Sequence, residues 1–264
     1  MKKLKFVGLA VMVAGLFSLT SCLKGGGNTA SFSSCGYAKF STAGRVVVTS
    51  DKFTPDYASP SFDSQLIGGE YVSFFAQVDY DAQTSDKYTL VTASNLEKYP
   101  EYPLRTVVGD TTTLLSNEMA IDGIALVLAG NDGSSQYAFT ANKHVFLGAM
   151  HKDVPSDMKV QYEFSYDPSA KPITVNSQNV YELYVRAIKT DAGSNTKSNR
   201  TIYGAYDVTY FLNTTLNKEK AAGNKTVNVR FKYFNKIDSE KNTGELKGES
   251  DIYSFIISQY IDEK

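Results

Sequence analysis

Two stretches of strict alternation constrain this chain more than any other feature. Val160-Gln161-Tyr162-Glu163-Phe164-Ser165-Tyr166 and Val227-Asn228-Val229-Arg230-Phe231-Lys232-Tyr233 carry an apolar residue at every second position. Successive strand side chains point to opposite faces, so a period of two makes one buried face and one wet face, as in antiparallel sheet. Residues 45–50, 70–80, 87–93, 181–188, 207–212 and 251–261 read as further strands. In the last of these, Tyr253, Phe255, Ile257 and Ile261 share one face. Asp81-Ala82-Gln83-Thr84-Ser85-Asp86 reads as a polar hairpin loop. One short helix is expected: Asn213-Thr214-Thr215 offers caps, 216–222 holds helix formers, and Gly223 can end it in the left-handed conformation. A helix of about two turns is not stable alone, so it must lean on the sheet.

An all-β chain with turn signals about every 8 to 12 residues is a sandwich or a barrel. Tyr99-Pro100-Glu101-Tyr102-Pro103 interrupts the series, because proline removes a ladder donor and biases the residue before it towards extended backbone. The segment through Thr113 therefore reads as a connector. The expected organisation is a small barrel over 36–112 and a β-sandwich with one short helix over 113–264.

The N-terminus has the three parts of an export signal. Lys2, Lys3 and Lys5 are followed by an uncharged apolar run over 6–17, then by Leu19-Thr20-Ser21-Cys22. The run is shorter than the roughly 20 residues a membrane span needs. Leu-Thr-Ser-Cys resembles a lipobox, which implies removal of residues 1–21 and acylation (palmitate among the chains) of Cys22. The implied partner is a membrane, held through the lipid anchor, and the implied address is the outer membrane. Residues 22–35, rich in Gly, Ser and Asn, read as a flexible tether. Leu23-Lys24-Gly25-Gly26-Gly27 lacks the acidic stretch that often follows the cysteine in surface lipoproteins of Bacteroidetes, which favours the periplasmic face. Removing residues 1–21, which hold three lysines and no acid, moves the net charge from −1 to −4. That balance excludes nucleic acid as a partner. With Cys22 acylated, Cys35 is the remaining cysteine of two, and no disulfide framework forms within one chain.

The lipobox start, the small β unit and the run Ala141-Asn142-Lys143-His144-Val145-Phe146-Leu147 together resemble NigD-like lipoproteins of Bacteroidetes. So do Tyr206-Asp207-Val208-Thr209-Tyr210-Phe211-Leu212, the Lys/Glu/Ala helix ending at Gly223, and Thr226-Val227-Asn228-Val229-Arg230-Phe231-Lys232-Tyr233. The resemblance implies an N-terminal OB-like barrel and a C-terminal β-sandwich. It also implies a bacteriocin-immunity-like role. The segment 191–200 and the Tyr-Pro-Glu-Tyr-Pro loop depart from the pattern.

Chemistry-bearing residues are few. A triad or a Cys-His site would have to use one of two histidines. His144 lies in an apolar run and reads as a hydrogen-bonded sheet residue, and His151 reads as a loop residue. Neither stands beside a nucleophile signature, and their spacing is no zinc pattern. Asp79, Asp81 and Asp86 gather at one hairpin, but without the Gly and Glu an EF-hand loop requires. No catalytic residue, metal site or cofactor is assigned. Tyr99 and Tyr102, held by Pro100 and Pro103, are the candidate binding residues: rings on a stiff loop can grip a protein or a glycan at low entropic cost. The bland alternative is that both rings fold back onto the sheet. Asp110-Thr111-Thr112 resembles the short O-glycosylation motif of Bacteroidetes, with Thr111 as acceptor. The function expected is non-enzymatic binding to an unknown protein or glycan. The rival is an envelope hydrolase whose two carboxylates meet only in space.

Overall fold

The computed structural model describes residues 28–50, 55–85, 87–106, 113–127, 138–238, 240, 243–248 and 252–260. Cys22, Asp86, Thr111 and Ile261 lie outside these. The described residues form two compact units. The first runs to Pro100 and takes in Phe139–Asn142; the second runs from Glu101 to Val127 and again from Lys143. The first changeover falls inside the Tyr-Pro-Glu-Tyr-Pro segment. No helix among the described residues is long and apolar enough to cross a membrane.

The first unit is a closed barrel of β1 (Thr29–Phe40), β2 (Val46–Thr49), β3 (Asp56–Ala58), β4 (Tyr71–Asp79) and β5 (Tyr88–Tyr99). The order is β1-β2-β3-β5-β4, with β4 pairing back to β1. β3 and β5 run parallel. The helix α1 (Pro60–Gln65) joins β3 to β4. This is OB topology, as the resemblance implies. Ser59 and Pro60 start α1 as N-cap and first-turn proline. Phe62 on α1 is fully buried in the barrel and meets Phe74 edge-on at 5.1 Å. A bulge in β5, where the left-handed Asn95 (φ 51°) and Leu96 stand against the single Phe74 of β4, adds the twist that closure needs. Residues 29–35, expected as tether, form the first half of β1, because they pair with 73–79 of β4 in unbroken register.

The second unit has two sheets. In one, β9 (Gly123–Leu126), β11 (His144–Pro155), β15 (Lys197–Asp207) and β6 (Glu101–Tyr102) lie in that order. β10 (Thr140–Ala141) precedes β11 in the chain and belongs to the first unit. The other sheet has eight strands. Its spine is β17 (Thr243–Gly248), β16 (Thr226–Asp238), β14 (Gln178–Asp191), β12 (Lys159–Tyr166) and β7 (Leu104–Thr106). β8 (Glu118–Met119) and β13 (Ile173–Val175) pair with β14, and β18 (Tyr253–Ile256) pairs with β16. Both alternating runs seen in the sequence are central strands of this sheet. Their inward rings, Phe164 and Phe231, are fully buried.

The helix α2 spans Thr209–Ala221, beginning earlier than the sequence signals. Thr214 and Thr215 do not cap it; their hydroxyls donate to the carbonyls of Tyr210 and Phe211 one turn back. The expected strand 207–212 is thus helical from Thr209, where the Asp207 carboxylate accepts from the Thr209 N–H at 2.7 Å. The helix ends as expected at Gly223 (φ 82°). It leans on the eight-stranded sheet through Phe211, whose ring lies 5.1 Å from Tyr166 and 5.6 Å from Tyr181. The segment 191–200 is the corner joining β14 to β15. There the Asp157 carboxylate accepts from the N–H groups of Ser194 and Asn195 at 3.0 and 2.9 Å.

Candidate functional site

Tyr102 is in the interior. It lies on β6, in register with Tyr206 of β15, and is 9% exposed. The expectation that Pro100 and Pro103 present this ring to solvent is corrected: Glu101 and Tyr102 pair as a short strand, which turns the Tyr102 ring between the two sheets of its unit. The ring centroid lies 4.9 Å from Tyr206 and 5.5 Å from Tyr162. Tyr206 also meets Phe164 edge-on at 5.3 Å. Gly204 makes the room, since a Cβ there would come within 2.4 Å of the Tyr102 ring.

His151 completes the cluster and is a buried strand residue, not a loop residue. Its Nε2 lies 2.7 Å from the Tyr162 hydroxyl and its Nδ1 lies 3.0 Å from the Ala120 carbonyl oxygen. Burial pushes the phenols of Tyr102, Tyr162 and Tyr206 up and the imidazole of His151 down. All four groups are held neutral by this, which suits a hydrogen-bonded core and not a nucleophile or general base. The Tyr206 hydroxyl is buried without a hydrogen-bond partner.

The other reactive side chains are committed to structure as well. His144 is 5% exposed, and its Nε2 lies 3.0 Å from Glu101 Oε1. Cys35 has no disulfide, and burial pushes its thiol far up, away from the thiolate that oxidation and pairing require. The Glu219 carboxylate, buried under α2, accepts from the Tyr181 hydroxyl at 2.6 Å and so ties the helix to β14. At the acidic hairpin, Asp79 Oδ1 accepts from the Asp81 N–H at 3.0 Å, a turn closed by its own side chain. No group of three or more His, Cys, Asp or Glu among the described residues is placed to hold a metal.

Tyr99 falls at one end of the barrel. It is half-buried and stands in one row with Tyr71 of β4 and Tyr37 of β1. This end carries two residues that the sequence reading passed over. Phe40, 64% exposed, lies on the inward face of β1 but three positions beyond its last pairing with β4. Its ring rests against Gly68, and beside it Ile67 is 65% exposed. Two backbone bonds fix the loop, Gly69 N–H to Ala38 O at 2.9 Å and Ala38 N–H to Glu70 O at 2.8 Å. Ion pairs frame the patch: Arg45–Asp63 at 2.8 Å and Lys98–Glu70 at 2.7 Å. The signal for the pair was an apolar residue directly before a turn, Ser41-Thr42-Ala43-Gly44 in one case and Gly68-Gly69 in the other.

Thr111 and Cys22 lie outside the described residues. Tyr99 and Tyr102 belong to different units.

No family model matches the chain. No curated protein matches it. Solved structures share its fold. An uncharacterised protein from Parabacteroides merdae is 22% identical with a TM-score of 0.71, over 86% of this chain and 99% of that one. A proposed lipoprotein from Bacteroides fragilis is 12% identical with a TM-score of 0.54, over 88% of this chain and 100% of that one. A NigD-like immunity protein from Bacteroides caccae is 12% identical with a TM-score of 0.45, over 84% of this chain and 96% of that one. At these identities the first two likenesses speak for the two-unit fold alone.

Proposed function

We propose that this chain is a lipid-anchored protein of the cell envelope that works by binding another protein through the end of its barrel. The carrying observation is the pair Phe40 and Ile67, each about two-thirds exposed (64% and 65%), held by backbone bonds and framed by neutralising ion pairs. Fixed apolar side chains inside a polar rim are the make-up of a protein contact. Tyr99, at the same end, adds to it. The address is supported by the export signal, by the lipobox at Cys22 and by the fold likeness to a proposed lipoprotein. β1 separates the tether from the patch: from the first to the last of its 12 residues it spans up to about 36 Å, at about 3.3 Å per step. A tether leading from Thr29 thus leaves the patch at the far end of the strand. Binding, and not chemistry, fits the way His151, His144, Cys35 and Glu219 are each engaged in holding the fold. A protein partner is also what an immunity-like role would require.

The test compares wild type with the double variant Phe40→Ser/Ile67→Ser, both anchored in cells, using a lysine cross-linker and identification of the linked chains. A Tyr210→Ser variant, changed at another exposed ring (45%), serves as control. Losing two central anchors costs at least about 2 kcal/mol, which lowers affinity more than about tenfold. The expected outcome is a specific cross-linked protein that persists in the control and disappears in the double variant. Equal cross-linking in all three, or retention only of a periodate-sensitive glycan, would overturn the reading.

A further inference from the structure

His151 joins three parts of the second unit. It sits on β11 of one sheet, meets Tyr162 on β12 of the facing sheet, and meets the carbonyl of Ala120. Ala120 lies on the crossing between β8, which pairs with β14, and β9, which pairs with β11. One imidazole therefore pins the segment that passes from sheet to sheet, and it is 1% exposed while doing so.

The partners fix the proton. A carbonyl oxygen only accepts, so Nδ1 carries the hydrogen, and Nε2 presents a lone pair to the Tyr162 O–H. The neutral Nδ1–H ring satisfies both contacts with the Tyr162 hydroxyl as donor. A second proton on Nε2 forces that hydroxyl to turn from donor to acceptor, which takes its hydrogen away from the ring nitrogen, and it places a charge in the interior. The surrounding groups do little to relieve it. Tyr102 and Tyr206 press their rings on Tyr162. Arg200 on β15, bonded to the carbonyls of Pro155 and Met158, is a like charge. Asp122 on the crossing is the favourable charge, but its carboxylate is shared with the Lys152 N–H at 2.8 Å and the Lys152 ammonium at 3.6 Å. The Asp153 N–H turns to Asn199 at the bulge that follows.

We propose that His151 is an acid-sensitive latch: its neutral ring holds the β8–β9 crossing to both sheets, and protonation releases that crossing. Burial, the largest influence, sets the ring's pKa below its ordinary value in the closed state. Once the crossing opens, the ring returns to a pKa of about 6.5. The open state then binds more protons, so the latch is intact above about pH 6.5 and weakens as pH falls below it. The opening equilibrium grows by up to about tenfold per pH unit until the closed-state pKa is reached.

The chain has two histidines, so His144→Gln is the natural control. The experiment uses the whole mature chain. Hydrogen exchange of residues 118–126, corrected for intrinsic rates, is followed between about pH 7.5 and 5.5, with ring nitrogen shifts read at the upper end. Opening is expected to rise up to about tenfold from pH 7.5 to 5.5 in wild type and in His144→Gln, and to stay flat in His151→Gln. The His151 ring is expected as the Nδ1–H tautomer. A flat wild-type profile, an Nε2–H tautomer, or undiminished pH dependence in His151→Gln would each overturn the latch. If His151→Gln does not fold, the wild-type profile and the tautomer decide alone.

Discussion

The Tyr206 hydroxyl is a buried polar group with no partner, set among rings. Leaving such a group unmade in the interior costs about 1 to 3 kcal/mol, whereas removing it leaves the ring contacts intact. Tyr206→Phe is therefore predicted to raise stability by about 1 kcal/mol, read as a higher urea midpoint at unchanged slope. A drop in midpoint would mean that the hydroxyl has a partner in solution. The burial of Tyr102 was not legible in the sequence. What buries it is a space left by Gly204 and a ring offered by Tyr206, both far along the chain, and local proline chemistry says only that the backbone is extended. Cys35 and His151 were hidden for the same reason. Their roles come from facing strands, while Phe40 and Ile67 carried a local signal, an apolar residue ahead of a turn.

At the scale of elements, local chemistry was the better guide. The end of α2 is written in its sequence: Asn224 N–H reaches Glu219 O and Gly223 N–H reaches Lys220 O, each at 3.0 Å, around a left-handed Gly223. A side chain at φ 82° is strained although nothing crowds the site. Gly223→Ala is predicted to cost about 1 kcal/mol, measured by thermal unfolding against an exposed control substitution such as Lys220→Ala. The start of the same helix misled, because Thr214 and Thr215 are as able to bond back to a carbonyl as to cap. The central strands were legible from alternation. β11 and β15 were not: β11 begins with a stretch over 144–149 that is buried on both faces and, after His144, carries no polar side chain, so it lacks the period that marks a half-wet strand. The hairpin of β13 and β14 turns through Asn176 and Ser177, both at positive φ (50° and 64°), a turn whose handedness matches strand twist.

For the whole molecule, composition and the ends carried most of the reading. A strand-rich body was legible from the alternating runs and the turn spacing, and a barrel followed by paired sheets from the proline break and the resemblance. The proposed anchor gives a direct prediction. Cys22→Ser removes the sulfur proposed to carry the acyl chains, and the protein is expected to move from the membrane pellet to the soluble envelope fraction; continued pelleting after a high-salt wash would refute the proposed anchor. One further consequence comes from the closure of the barrel. Because β4 bonds to β1 along nine residue pairs, that seam of the barrel presents no free strand edge among the described residues. A partner cannot join along that seam by adding a strand of its own, so backbone pairing is unavailable as a glue there. Recognition there must be read out by side chains at the rim, and specificity is then open to change one side chain at a time without disturbing the ring of strands beneath.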